Sequence, residues 1–325
     1  MCAEPAKGVS RIETVVIAAI VLSCSVFVLD YVGSAPTRLR ASCQGTLKQW
    51  GTIFKLYADE DKGGYLPRMQ GPQPWLAAGQ RLGRDCNADP IDFRFSPDLK
   101  SVVPEYLTDL RVLQCDANRD AGLRTIDDGC AYAGFPSRPD ASYQYLGYVI
   151  DRAGGSDPWS NSPDVGSGAY EVPAQLIEVF LALPGLNQRV TGEVEPDYAT
   201  CADALAHAIE VVPGAGNGGG EVVHRLRLRF EQLAVVNVYD PTLPALTSAQ
   251  IPTLWDRLGP GRKRLIQGSH SPAGCNVLYL DGHVEWHEYS PRGGFPANDA
   301  LPAAILWALG DPSPGPQRRT ASGHE

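Results

Sequence analysis

Hydrophobic and polar positions divide the N-terminal part of this chain into two consecutive patterns. From Val15 to Leu29 apolar residues follow one another almost without interruption. From Leu39 the run narrows to a stripe, in which Leu39, Cys43, Leu47, Trp50, Phe54 and Tyr57 recur at spacings of four, four, three, four and three. That is the period of a helix with one apolar face. The pattern predicts a single long helix, stopped by Asp59-Glu60-Asp61-Lys62-Gly63-Gly64 and on the order of 70 Å in length. Its apolar first half, about residues 12–32, matches the length needed to cross a bilayer, and residues 37–58 are its amphipathic continuation. Pro36 is expected to kink it.

Further along, helices are predicted at Ala174 to Ala182, Cys201 to Val211 and Leu301 to Leu309, and strands at Arg111 to Cys115, Tyr143 to Ile150 and Val222 to Phe230. In the last of these, Arg225, Arg227 and Arg229 alternate with apolar residues and read as a solvated strand face. The glycine-rich run from Pro213 to Gly220 lacks the Lys-Ser/Thr ending of a phosphate loop and reads as a flexible connector. The clearest β signal lies around Asp281-Gly282, a two-residue turn flanked by alternating strands. A tight turn there sets Val277 opposite Trp286 and Tyr279 opposite Val284 on the core side. Leu278, Leu280, His283, Glu285 and His287 then share the other face.

Composition changes this picture in two ways. The formal net charge of −9 excludes a general nucleic-acid binder, which needs clustered Lys and Arg against phosphate. Eight cysteines permit disulfides, and Cys115 with Cys130 closes the shortest loop. No CxxC pair occurs, so spacing offers no structural zinc site.

Two constellations are candidates for ion binding. Asp116, Asn118 and Asp120 occupy positions one, three and five of a would-be calcium loop with Asp127 at twelve, although Ala121 stands where such a loop has glycine. His270, Asp256, Asp281 and His283 are a divalent-cation or acid/base set by residue type. Against these stand a plain polar loop and a hairpin whose Asp281 serves turn geometry. No His-Glu-x-x-His and no nucleophile elbow occurs, so the chain is not read as an enzyme. Calcium or another divalent cation is the one cofactor it suggests.

One feature of the N-terminus stands out: Glu13 sits at the mouth of the apolar run, five places beyond Gly8 when Val9 is counted as first. A carboxylate there is costly and marks a functional site. The arrangement resembles type IV pilins and pseudopilins. The segment from Ser42 to Pro67, with Cys43, Leu47-Lys48-Gln49, Tyr57-Ala58-Asp59 and Gly64-Tyr65-x-Pro67, resembles prepilin-like envelope proteins. So does the C-terminal set Trp255-Asp256, His270, Asn276-Val277-Leu278 and Asp281-Gly282, which differs by one residue in the His-to-Asp interval.

By position, the resemblance implies cleavage after Gly8, a processed N-terminus at Val9 and an assembly contact at Glu13. A neighbour's terminal amine would neutralise that carboxylate. It implies an α+β, pilin-like fold: leader 1–8, helix 9–58, a globular ectodomain 59–296 with the terminal hairpin, and a short helix and tail 297–325. The expected partners are a prepilin peptidase, other pilin-like subunits and the membrane, with no nucleic acid. The expected placement is single-pass in the inner membrane, N-terminus cytoplasmic and ectodomain outside, with assembly at the cell surface. The function so implied is a structural subunit of a surface fibre or secretion pseudopilus. The alternatives are a membrane-anchored binding module for a glycan, metal or protein, and an envelope hydrolase using His270.

Overall fold

The computed structural model describes residues 11–70, 94–118, 142–163, 170–183, 203–228, 246–259, 267–268, 270 and 273–309. Its longest element is α1 (Arg11–Glu60), fifty residues that continue as helix through Pro36. Three more helices are described: α2 (Leu99–Val102), α3 (Ala174–Ala182) and α4 (Ala300–Leu309). The strands are β1 (Met69–Gln70), β2 (Arg94–Pro97), β3 (Tyr143–Gln144), β4 (Trp159–Asn161), β5 (Glu171–Pro173) and β6 (Ile209–Glu210). They continue with β7 (Val222–Val223), β8 (Pro252–Asp256), β9 (Leu258–Gly259), β10 (Gln267–Gly268), β11 (Gly274–Tyr279) and β12 (Val284–Glu288).

One four-stranded antiparallel sheet, ordered β12-β11-β8-β3, sits between two apolar layers. On one face α1 lays down Cys43, Leu47, Trp50 and Phe54, which join Leu254, Leu278 and Leu280 in one buried cluster. On the other, α3 and α4 cover Trp255, Cys275, Val277 and Tyr279. Alternation along a strand explains the division, because neighbouring residues of β8 and β11 point to opposite layers. With both faces covered, every residue of β11 is buried. Helix α4, ALPAAILWAL, is apolar on all sides and is accordingly buried throughout Ala300 to Ala308. Asn298 Oδ1 accepts the Ala300 N–H at its start, and Trp307 Nε1 donates to the Pro163 carbonyl.

Helix α1 meets the sheet most closely at Gly51. A Cβ built there would lie 3.1 Å from Leu278 Cδ1, so the missing side chain is what lets backbone and strand approach. Beside it Trp50 is 1% exposed and its Nε1 donates to the Val112 carbonyl at 3.1 Å. Trp50, Phe54 and Tyr145 follow one another with ring centroids 5.4 Å apart at each step.

Several expectations are corrected. Among the described residues no helix is long and apolar enough to cross a membrane. The span predicted over about 12–32, the transmembrane part of the fold class and the single-pass inner-membrane placement are therefore not supported. The sequence itself supplies a reason: the uncharged stretch between Glu13 and Asp30 is sixteen residues, Thr14 to Leu29. At about 1.5 Å per residue it covers roughly 24 Å, short of the ~30 Å hydrocarbon layer. In place of one pilin-like sheet the architecture is mixed α/β, with one four-stranded and four two-stranded antiparallel sheets among the described residues. Strands of two to six residues are what a chain with 34 glycines and 27 prolines allows, since proline cannot donate to a ladder.

The terminal hairpin is shifted by one residue from its expected register. Asn276 lies opposite Trp286, Val277 opposite Glu285 and Leu278 opposite Val284. Tyr279 and His283 close the ladder instead of Leu280 and His283: the Tyr279 N–H reaches the His283 carbonyl and the Gly282 N–H returns to the Tyr279 carbonyl. The loop is thus three residues, Leu280 to Gly282, with Gly282 at φ +96° where a side chain is strained. The predicted strand from Arg111 to Cys115 is largely a 3-10 turn (Leu110–Leu113), because the Asp109 carboxylate accepts the Arg111 N–H at its start.

The predicted helix from Cys201 to Val211 ends in β6, which pairs with β7. The glycine run between them is an ordered turn, in which Asp151 Oδ2 accepts the Gly218 N–H and Asp151 Oδ1 accepts from Asn217 Nδ2. Arg225 is half-buried and not on a solvated face: it donates to the Leu66 and Ala206 carbonyls and lies over the Tyr65 ring.

If the layer between α1 and the sheet carries the fold, Trp50→Ala should lower unfolding free energy by about 3–5 kcal/mol in urea titration. Gly51→Val should cost about 1–3 kcal/mol by overpacking against Leu278. A Trp50→Ala loss below about 1 kcal/mol would show that α1 is peripheral.

Candidate functional site

Four separate pieces of chain converge under α1. Cys43 comes from the helix, Cys115 from the segment after the 3-10 turn, Asp256 from the end of β8, and His270 from the approach to β11. Cys43 and Cys115 form a disulfide with Cα atoms 5.4 Å apart, bridging a sequence separation of 72. Cys115 is therefore not joined to Cys130, the pairing expected from loop length, and Cys130 lies outside the described residues. The shortest loop loses because α1 docks with Cys43 facing inward, 1% exposed, against Cys115.

Beside the disulfide, His270 Nε2 lies 2.9 Å from Asp256 Oδ2, with the two side chains 2% and 0% exposed. The same nitrogen is 3.6 Å from Cys115 Sγ. Asn276 holds the carboxylate in place by donating its backbone N–H and its Nδ2 to Asp256 Oδ2, at 2.8 and 2.7 Å. The other carboxylate oxygen, Oδ1, is buried and accepts no hydrogen bond among the described residues. Trp286 stands edge-on to the His270 ring, and Arg40 of α1 lies 4.1 Å over the Trp286 centroid. The buried charge acts on its neighbours. Burial, and then the Asp256 charge, push the Tyr143 hydroxyl and the Cys275 thiol well above their usual ranges.

Donor atoms of Cys43, Cys115, Asp256 and His270 all lie within 4.8 Å of one another. Of the candidate set His270, Asp256, Asp281 and His283, the structure brings together the first two and sends the others elsewhere. Asp281 and His283 pair at 2.7 Å on the exposed hairpin tip, past the end of β11. There His283 stacks on Tyr279 at 4.4 Å and His287 Nε2 lies 2.7 Å from the Tyr279 hydroxyl, whose pKa rises to about 12 through burial and then the nearby Glu285.

Of the candidate calcium residues, two are described. Asp116 and Asn118 sit on one 3-10 turn, and Asp116 accepts a hydrogen bond from Ser42 of α1. Asp120 and Asp127 lie outside the described residues, as do Gly8 and Val9. The two cysteines were missed as partners of His270 because nothing in linear spacing joins residues 43, 115, 256 and 270. The only available signal was their residue type.

Two predictions follow from this geometry. A link closing a 72-residue separation should contribute about 4 kcal/mol, so Cys43→Ala with Cys115→Ala should lower the urea midpoint by a corresponding amount. No change in midpoint would contradict the bond. At the hairpin tip, burial pushes the Asp281 carboxyl up, but hydrogen bonds from the His283 N–H and ring, with the charges of His283 and Lys55, outweigh it. Its folded pKa lies below the ordinary 3.8. Its contribution is present above the unfolded value and is lost as pH falls through the folded one. Asp281→Asn should thus cost less than about 1 kcal/mol at neutral pH, the pair being exposed, and nothing once the carboxyl is protonated. A gap that does not close on acidification would refute this origin.

Comparison with protein-family models, curated proteins and solved structures finds no match to this chain.

Proposed function

We propose that the chain is a structural subunit of a fibre or pseudopilus-like assembly, joined to further copies or related subunits through the N-terminal part of α1 after cleavage behind Gly8. The observation that carries this reading is the division of labour along one helix. From Cys43 to Ala58, α1 is built into the core of the globular part. Nearer its start, Val16 and Ile20 are 51% and 56% exposed. Four residues apart, they lie on one helix face. Fifty residues at about 1.5 Å each make a rod of about 75 Å, long enough to reach neighbours in a bundle.

Glu13 supplies the polar part of the contact. Cleavage after Gly8 creates an amine on Val9, and a neighbour's amine placed beside Glu13 pairs two charges that packed helices would otherwise leave uncompensated. The partners of this reading are a prepilin-type peptidase and pilin-like subunits, and its role is mechanical and not enzymatic.

The test begins with the mass of the chain recovered from its native cell, which should start at Val9. Photo-crosslinkers at Val16 and Ile20 should join copies into ladders, and Glu13→Ala should abolish these without altering the circular dichroism. A chain that retains its first eight residues and gives no crosslink from either position would overturn the proposal.

A further inference from the structure

The cluster beneath α1 does not depend on assembly and leads to a separate conclusion. We propose that reduction of the Cys43–Cys115 bond converts it into a site for one thiophilic divalent cation, zinc in the first instance. The ligands are Cys43 Sγ, Cys115 Sγ, His270 Nε2 and a carboxylate oxygen of Asp256.

The donor set is the first argument. Two thiolates, one imidazole and one carboxylate make the four ligands of a closed tetrahedral zinc site, and thiolates select zinc over the harder cations that prefer oxygen. Distance is the second. Zinc–ligand bonds of roughly 2.0–2.3 Å place tetrahedral donors roughly 3.3–3.8 Å apart. His270 Nε2 already stands 3.6 Å from Cys115 Sγ, and donor atoms of all four residues lie within 4.8 Å of one another. The sulfurs, held together by their bond, must separate and the other donors adjust toward those spacings, by rotation about side-chain bonds with the helix in place.

A third argument comes from the carboxylate. Asn276 fixes Asp256 through Oδ2, as the supporting shell of a metal ligand does, while buried Oδ1 takes no hydrogen bond among the described residues. An acceptor buried in this way is costly, and a cation beside it would remove the cost. The four ligands come from different pieces of chain, so the ion would tie α1 to the Cys115 segment, as the disulfide now does, and also to the end of β8. The cluster thereby has two staples, one for oxidising and one for reducing conditions.

The chemistry balances with a dithiol as reductant. Two electrons and two protons pass from the dithiol to the S–S bond, leaving two thiols on the chain and a disulfide on the reductant. The cation then displaces both thiol protons to water. The neutral His270 ring binds through the Nε2 lone pair with its proton on Nδ1.

Cobalt(II), added to the full chain with and without prior reduction, tests this directly. The reduced chain should bind one cobalt with the visible bands of tetrahedral geometry and the near-ultraviolet bands of thiolate coordination, and the oxidised chain should show neither. Cys43→Ser with Cys115→Ser should remove the bands. His270→Ala should weaken binding at least tenfold, no less than losing a supporting residue costs. Absence of thiolate bands in the reduced chain, or equal bands and affinity in these variants, overturns the proposal.

Because reduction loosens the fold, a second measurement follows the thiol–disulfide equilibrium with and without zinc. Zinc should favour the dithiol about 100-fold, a shift of about 59 mV, and about tenfold less in His270→Ala. No shift, or the same shift in both proteins, sinks the idea, since unfolded thiols would respond alike. Neither experiment involves Glu13 or crosslinking, so either proposal can fail alone.

Discussion

The structure depends on the burial of one face of α1 against β8 and β11. Leu47, Trp50 and Phe54 fill the layer above the sheet, and Gly51 lets the helix settle onto Leu278. Burial of this kind is the main favourable term in folding, at roughly 25 cal/mol for each Å² of apolar surface. Its effect reaches beyond the helix. Once α1 covers one face of the sheet and α3 and α4 the other, β11 has no wet side. Its polar residue, Asn276, must then find partners inside, and Asp256 and the Arg40 carbonyl are what the interior offers.

That requirement shapes the candidate site. Asp256 follows Trp255, which points to the α3 and α4 layer, so strand alternation turns its carboxylate toward α1. A charge so placed needs partners, and Asn276 and His270 supply them. Cys43 enters by the same docking that buries Trp50, and Cys115 follows a turn whose Val112 carbonyl takes the Trp50 indole N–H. Packing, hydrogen bonding and the covalent link thus converge on one stretch of helix. Neither the disulfide nor the proposed metal exchange has meaning without the helix–sheet contact.

The first half of α1 obeys a different constraint. Acids at Glu13 and Asp30 bound its uncharged run at sixteen residues, and among the described residues no helix is long and apolar enough to cross a membrane. Val16 and Ile20 nevertheless present apolar surface at the end of the helix remote from the core. Four residues apart on one face of the helix, Val16 and Ile20 are the apolar part of the proposed contact between subunits.

The sequence by itself determined α1, α3 and α4, because a helical apolar stripe is a local property that survives whatever the helix packs on. It also located the terminal hairpin through Asp281-Gly282, but not its register. A three-residue and a two-residue loop use the same glycine and differ only in which N–H meets which carbonyl. His270 and Asp256 were legible as a pair by residue type. Their union with Cys43 and Cys115 was not, since it joins elements up to 227 positions apart and is decided by how α1 docks. Local chemistry is written in neighbouring residues, whereas a shared site among distant ones exists only once hydrophobic burial has chosen which faces meet.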